Sequence, residues 1–232
     1  MSGPLLSIVL PIYNQADHLE SVVREYEDTL AKIPQPHELI LVPNGCRDRS
    51  VEICRGLTAT YPSLRVIESD RHGWGRAVRL GLQSAKGEIL CYTNSARTSP
   101  QNLTLLLLYG VVFPNVVAKA NRKIRESWFR RLGSLIYNLE CRALFDLSYW
   151  DINGTPKVFP RVFLKLLELT RDDDLIDAEF AVVCRREDYP MVEVPIFSTL
   201  RRGGRSTTNL RSALRLYWGA YRLRRALSDT VA

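Results

Sequence analysis

The first 120 residues alternate between two hydrophobic periods, and that alternation restricts the fold more than any other feature of the chain. Nearly continuous apolar runs at residues 5–10, 38–42, 64–68, 88–93 and 115–118 read as buried strands, the first of them stopping at Pro11. Between them, residues 14–32 place Leu19, Val22, Val23, Tyr26 and Leu30 on one side of a helix. Residues 49–60 and 73–84 repeat the helical spacing. Ser99 has the chemistry of an N-cap and Pro100 suits the first helical position, opening a helix to residue 108. Strands and helices in alternation predict an α/β fold with a mostly parallel central sheet and helices on both faces. The ligand crevice of such a sheet lies beyond the carboxyl ends of its strands, here residues 11–14, 43–48, 70–76 and 93–97.

The second half is less regular. The spacing predicts a long helix over 125–147, a turn and short strand over 151–159, helices over 161–170 and 176–186, and a strand over 191–196. Residues 201–206 read as a mobile basic loop and 209–226 as helical. Residues 1–210 form the expected main domain, with a basic amphipathic helix over 211–232. The longest apolar stretch, Leu103 to Phe113, runs 11 residues, short of the roughly 18 that a membrane span needs. No leader peptide is visible.

Charge is placed unevenly. The net charge is +7, and residues 201–232 alone carry eight arginines against Asp229. A neutral body with a cationic tail argues against a nucleic-acid groove across the fold. It suits one local anionic partner such as a phosphate or a membrane surface. The five cysteines are irregularly spaced, without C-x-x-C, so neither a disulfide framework nor a zinc site is expected. Buried free thiols in a reducing compartment are.

The segments at the strand ends resemble glycosyltransferase family 2, of the GT-A type, and within it the dolichyl-phosphate-mannose-synthase-like branch. Leu10-Pro11-Ile12-Tyr13-Asn14-Gln15 is similar to the P-x-Y-N-E element, and Val42-Pro43-Asn44-Gly45-Cys46-Arg47-Asp48 to D-D-G-S-x-D. Gly73-Trp74-Gly75-Arg76-Ala77 precedes the fourth strand as in that family. Asp151 to Phe159 is similar to D-x-x-x-G-x-K-x-F, and Asp177-Ala178-Glu179-Phe180 and Val192-Glu193-Val194-Pro195 to its closing elements. Six motifs in order, over residues 5–210, imply a GT-A nucleotide-diphospho-sugar transferase fold and transfer of a sugar from a nucleotide sugar.

Donor-site residues implied by the resemblance are Pro11, Tyr13, Asn14, Asn44, Arg76, Asn94 and Ser95. Tyr13 would flank the base, Asn44 pair with a base edge, and Arg76, at a helix start with nearby N–H groups, reach the phosphates. Asp48 is expected to organise its own loop, and His72 is a weaker candidate for the pocket. Ordinary turn chemistry accounts for Tyr13, Asn14 and Asn44 equally well. The sequence departs from the family after the fourth strand, where D-x-D is replaced by Asn94-Ser95-Ala96. Asn is a poor ligand for a hard cation and Ala is none, so no metal cofactor is predicted. Three explanations stay open: fixed cations, Arg97 or Arg76, offset the leaving diphosphate; Mg²⁺ or Mn²⁺ binds weakly through the diphosphate and water; or catalysis is lost.

In that branch the acceptor is a lipid phosphate, already anionic near neutral pH because its second pKa is about 6. Arg122, Arg131 and Ser134 match the residues that bind acceptor phosphate there, and a basic C-terminal loop that closes on the ligands makes Arg202, Arg205 and Ser206 candidates. The arginines equally suit a solvated face or surface loop. In the tail, Arg211, Arg215 and Arg222 share one stripe, and Leu210, Leu214, Tyr217 and Tyr221 another with Trp218 at the border. This suits either a helix lying on an anionic membrane or one packed on the domain. Glu179 is a candidate base if the acceptor is a hydroxyl, as are Asp172, Asp173 and Asp174.

The leading expectation is inverting hexosyl transfer to a polyprenyl phosphate or other anionic lipid, cytoplasmic and peripheral on the inner membrane face, with no nucleic-acid partner. The alternatives are a saccharide-hydroxyl acceptor or a catalytically silent binding protein. A dinucleotide oxidoreductase is disfavoured, because the first strand ends in Pro11 rather than glycines.

Overall fold

The computed structural model describes residues 3–123, 128–197 and 217–225, with backbone alone for 128–131. Seven strands form one sheet: β1 (Leu6–Ile12), β2 (His37–Pro43), β3 (Leu64–Val66), β4 (Ile89–Tyr92), β5 (Val117–Arg122), β6 (Lys157–Pro160) and β7 (Met191–Ile196). Their order is β3-β2-β1-β4-β6-β5-β7. All neighbours are parallel except β6, which runs antiparallel to β4 and β5. The chain steps outward from β1 through β2 and β3, then returns to β4 on the other side, so the switch point lies between β1 and β4.

Alternation within the strands separates two cores. Leu6, Ile8, Leu10 and Ile12 face α1 (Leu19–Leu30), α2 (Ser50–Thr60) and α4 (Pro100–Val112). Val9, Ile40, Val42, Tyr92 and Phe159 face α3 (Trp74–Ser84) and α6 (Ile176–Arg186). Both faces being covered explains why the strands read as unbroken apolar runs. A third cluster joins Tyr137 and Cys141 of α5 (Trp128–Phe145) to Ala178 and Ala181 of α6, and to Ala220 and Leu223 of a further helix, α7, over 217–225. All five cysteines are free thiols, four of them buried.

Several expected boundaries move. β1 continues through Pro11, because the last β1–β4 pair is Val9 with Tyr92 and no β4 carbonyl awaits an N–H from residue 11. α1 starts at Leu19 rather than residue 14. Asn14 is left-handed (φ 49°), and the Gln15 and Ala16 amides donate to Ser50 Oγ and Asp48 Oδ2 instead of entering a helix. α4 runs on to Val112, and Ser99 caps it by accepting from the Asn102 amide at 3.1 Å. β5 extends to Arg122 because β7 pairs with it along its whole length. The helix expected over 161–170 shrinks to one 3-10 turn, Leu164–Leu167. Arg161 is drawn away from it, donating to the carbonyls of Ala85 and Gly87, and the Thr170 amide binds Glu179. Among the described residues, no helix is long and apolar enough to cross a membrane.

Candidate functional site

The carboxyl ends of β1, β2 and β4 open on one edge of the sheet, and the loops there are bound to one another. Asn14 Oδ1 accepts from the Arg47 amide at 2.8 Å, and Asp48 accepts from Ala16 and Ser50. Burial raises the Asp48 pKa, but these hydrogen bonds outweigh it and hold the carboxyl below its usual range. Asp48 thus organises its loop, as expected. Tyr13 and His72 face each other with ring centroids 4.0 Å apart, making an aromatic pair beside the carboxyl ends of β1 and β2. Burial pushes the His72 imidazole below its ordinary pKa.

Asn44 does not have a free amide for a base edge. It is 2% exposed; Nδ2 donates to the carbonyls of Ile12 (2.8 Å) and Val42 (3.3 Å), and Oδ1 accepts from Gly73 N at 3.0 Å. It ties β1, β2 and the start of α3 together. Pro11 is likewise buried inside β1.

The start of α3 is covered by the acidic loop before α6. The Arg76 amide donates to Asp172 O at 3.0 Å, so it is not open to a phosphate. A Cβ on Gly75 would stand 2.3 Å from Arg171 O, which shows how closely the loop approaches. The Arg76 guanidinium bonds Ser69 Oγ at 3.0 Å and lies 3.5 Å from Asp172, which also pairs with Arg79 at 2.6 Å. Acidic residues over a helix N-terminus are favourably placed. Glu179, the expected base, is buried and already accepts from the Thr170 amide, Thr170 Oγ1 and the Arg171 amide at 2.6–3.0 Å. A carboxylate so engaged anchors the loop before α6. Asp173 accepts from the Leu175 amide, a turn role.

The loop after β4 is also internally held. Asn94 Oδ1 accepts from the Ala96 amide (3.0 Å), Ser95 Oγ donates to Gln15 Oε1 (2.6 Å), and Thr93 and Thr98 hydroxyls meet at 2.7 Å. Ser95 and Ala96 are buried; Asn94 and Arg97 are half-exposed. This donor set does not fit a divalent cation, because it holds one amide oxygen, already engaged, and no carboxylate. Among the described residues no group of three His, Cys, Asp or Glu side chains is arranged for a metal.

The sequence reading missed a buried charge network beside this loop. Lys119 (β5) and Lys157 (β6) are register partners, both 0% exposed. Lys119 Nζ donates to the carbonyls of Trp150 and Asp151 and to Glu193 at 2.6 Å. Lys157 pairs with Asp177, which also accepts from Tyr92 OH at 2.8 Å. Burial pushes both ammonium groups down, opposed by their carboxylates. Arg122, at the end of β5, is gripped by Asp151 through Nε (2.7 Å) and Nη2 (2.6 Å). The available signal was a lysine within each of two apolar runs, Val117-Ala118-Lys119-Ala120 and Lys157-Val158-Phe159.

α5 follows Arg122 in the chain, starting at Trp128. It carries Arg131, whose side chain lies outside the described residues, and Ser134, half-exposed. Arg202, Arg205 and Ser206 lie outside the described residues, as do Arg211 and Arg215. α5 shows solvent a stripe of Leu132, Leu135, Ile136 and Leu139, each 41–49% exposed. α7 turns Ala220 and Leu223 inward and leaves Trp218, Tyr221, Arg222, Arg224 and Arg225 exposed. Tyr217 bridges the two helices by donating to Gly133 O at 2.9 Å.

Comparison with known proteins places this geometry in context. The family model "Glycosyl transferase family 2" matches residues 7–142. Curated relatives include an undecaprenyl-phosphate 4-deoxy-4-formamido-L-arabinose transferase of Aeromonas hydrophila, 26% identical over 58% of this chain and 42% of the relative. The Pectobacterium atrosepticum protein of the same name is 28% identical over 67% of this chain and 49% of its own length. The chain thus spans about half the length of these relatives. Among solved structures, glucosyl-3-phosphoglycerate synthase from Mycobacterium tuberculosis with phosphoglyceric acid superposes with a TM-score of 0.73, at 18% identity, over 96% of this chain and 80% of the other. The same synthase with Mn²⁺, uridine diphosphate and glucosyl-3-phosphoglycerate gives 0.71 at 19% identity, again over 96% and 80%. At that identity the likeness concerns the fold, which is the GT-A fold the sequence predicts.

Proposed function

Because the chain belongs to glycosyl transferase family 2, we propose that it transfers a sugar from a nucleoside-diphosphate sugar to a polyprenyl phosphate, with inversion at the anomeric carbon. The observation that carries this reading is Arg122. It stands at the strand edge that carries the family's donor loops, oriented by Asp151, and precedes in the chain a helix with an exposed apolar stripe. The relatives' names, which are those of undecaprenyl-phosphate transferases, support the same acceptor class.

In this reading Tyr13, beside His72, flanks the base, and Asn14 and Asn44 hold the loops that shape its pocket. Asn94 and Arg97 face the diphosphate from the hydrogen-bonded loop after β4, in which buried Ser95 holds Gln15, with Arg97 the fixed cation and Arg76 reaching it on release from Asp172. Arg122, Arg131 and Ser134 receive the acceptor phosphate, with Arg202, Arg205 and Ser206 as further acceptor-binding candidates. An acceptor oxygen attacks the anomeric carbon as the bond to the nucleoside diphosphate breaks, and that diphosphate departs with the electron pair. The nucleophile is already an anion, so no general base is required. This agrees with Glu179 being engaged elsewhere. Positioning and charge compensation supply the rate. The donor set after β4 supports a diphosphate offset by arginine rather than by a cation held on carboxylates; Mg²⁺ or Mn²⁺ held through the diphosphate and water alone is the competing case.

An acceptor panel tests the proposal. With a set of nucleotide sugars, polyprenyl phosphate is expected to be glycosylated, while the dephosphorylated polyprenol and free saccharides are not. Transfer to a saccharide hydroxyl, or nucleotide binding without turnover on any acceptor, would refute it.

A lipid acceptor calls for a lipid-facing surface, and we place it on α5 and α7. The Leu132, Leu135, Ile136 and Leu139 stripe, Trp218 and Tyr221 at its side, and exposed arginines nearby fit the chemistry of an anionic membrane. The protein would then be peripheral on the cytoplasmic face. Substituting Ile136→Glu and Leu139→Glu together is expected to abolish co-sedimentation with phosphatidylglycerol vesicles and to spare turnover of a short-chain, soluble polyprenyl phosphate. Unchanged sedimentation would contradict the assignment.

A further inference from the structure

Asp151 is held by its burial, its backbone and its hydrogen bonds. It is 3% exposed and left-handed (φ 48°). Its carbonyl accepts from Gly154 N (2.6 Å) and from Lys119 Nζ (3.1 Å). A Cβ on Gly154 would sit 2.0 Å from Ala120 O, so only glycine lets the turn press against β5. Lys119 is held in turn by Glu193, whose two carboxylate oxygens also accept from the Trp150 amide at 3.0 Å each. The turn over 150–154 is therefore fixed at both ends to β5 and β7.

What this frame presents is one guanidinium. Asp151 takes the Nε and Nη2 edge of Arg122 and also accepts from the Arg122 amide at 2.9 Å. Among the described residues nothing accepts from Nη1, and the side chain keeps 20% exposure. A guanidinium has five donors, so a fork pinned on one edge still offers another to a ligand.

We propose that Asp151, braced by Lys119 and Glu193, is a positioning residue that fixes Arg122 so that its outward edge meets the acceptor's phosphate monoester. This rests on the reading of Arg122 as the acceptor cation. Asp151 has a consequence that a merely structural residue lacks. Its negative charge, next to the incoming dianion, weakens acceptor binding, while its grip on Arg122 aligns the reacting oxygen. Charge and alignment are thus opposed, and one substitution separates them.

Asp151→Asn keeps the side chain's shape and one acceptor oxygen, but loses the charge and half of the fork. With a short-chain polyprenyl phosphate, kcat is expected to fall about tenfold or more, since small misplacements of reacting groups cost that much. KM for the acceptor is expected to stay level or drop. In a ¹⁵N spectrum of the full chain, the Arg122 Nε–H signal is expected to be sharp in the parent and broadened in the variant. Glu193→Gln, which loosens Lys119 one step away, is expected to give the same split with smaller amplitude, and it serves as the readout if Asp151→Asn fails to fold. Parental kcat in the variants, or a raised KM with unchanged kcat, overturns the proposal. A parent that never uses polyprenyl phosphate yet shows the sharp Nε–H signal refutes the acceptor reading, and with it the phosphate role, but leaves the Arg122–Asp151 pairing standing.

Discussion

Replacing Arg122 by alanine is expected to lower kcat/KM for a polyprenyl phosphate by about a hundredfold or more, the usual consequence of truncating one member of a buried, hydrogen-bonded charge pair that also meets a ligand. Two effects combine. The acceptor loses its cation, and Asp151, 3% exposed, keeps a charge without its fork. Arg122→Lys distinguishes them. It retains a positive charge for Asp151 and hence much of the stability, but a lysine cannot chelate a carboxylate and present a second planar edge. It should melt near the parent temperature and still lose about tenfold in kcat/KM. Initial rates over a range of acceptor concentrations, beside thermal melts of the three proteins, give both numbers. Parental acceptor kinetics in Arg122→Ala would remove Arg122 from the site.

The second large effect is on stability. Lys157 is fully buried between Tyr92 and Phe180, with Asp177 as its counter-charge. Lys157→Met leaves Asp177 in the core without its ammonium partner, at an expected cost of about 3–5 kcal/mol. For a chain of this length that lowers the melting temperature by about 10 °C. The double variant Lys157→Met with Asp177→Leu removes both charges and should recover a good part of the loss, leaving the Tyr92 hydroxyl unsatisfied at about 1–3 kcal/mol. With Asp177→Leu alone as the fourth protein, the coupling from the four melts reads the pair directly. Additive losses would mean that the two side chains do not act as a pair.

The contrast between these two predictions and the sequence pattern shows what was legible. Apolar runs announced the parallel strands and the helices over them, because β1, β2 and β4 are covered on both faces. The strand-end motifs fall together at one edge of the sheet, where their loops are hydrogen-bonded to one another. β6 was legible as a strand but not in its direction, since a four-residue run carries no record of how the chain enters the sheet. The helix over 161–170 failed because distant groups engage both its ends: Arg161 donates to the Ala85 and Gly87 carbonyls, and Glu179 takes the Thr170 amide. Asn44 was visible as an amide at the end of β2, yet its partners lie 2, 29 and 32 residues away. Lys119 and Lys157 could be flagged as lysines in apolar runs, but Glu193 and Asp177 become their partners only once the sheet has formed.

The central claim is that this site offsets the departing diphosphate with arginine, in a loop where Asn94, Ser95 and Ala96 leave no carboxylate for a cation. The most direct measurement is the initial rate of sugar transfer to a short-chain polyprenyl phosphate by metal-stripped protein, in excess EDTA and again with saturating Mn²⁺. The account predicts turnover in EDTA within a few-fold of that with the metal, and its loss in Arg97→Ala under both conditions. No transfer in EDTA, with full activity restored by Mn²⁺, would contradict it.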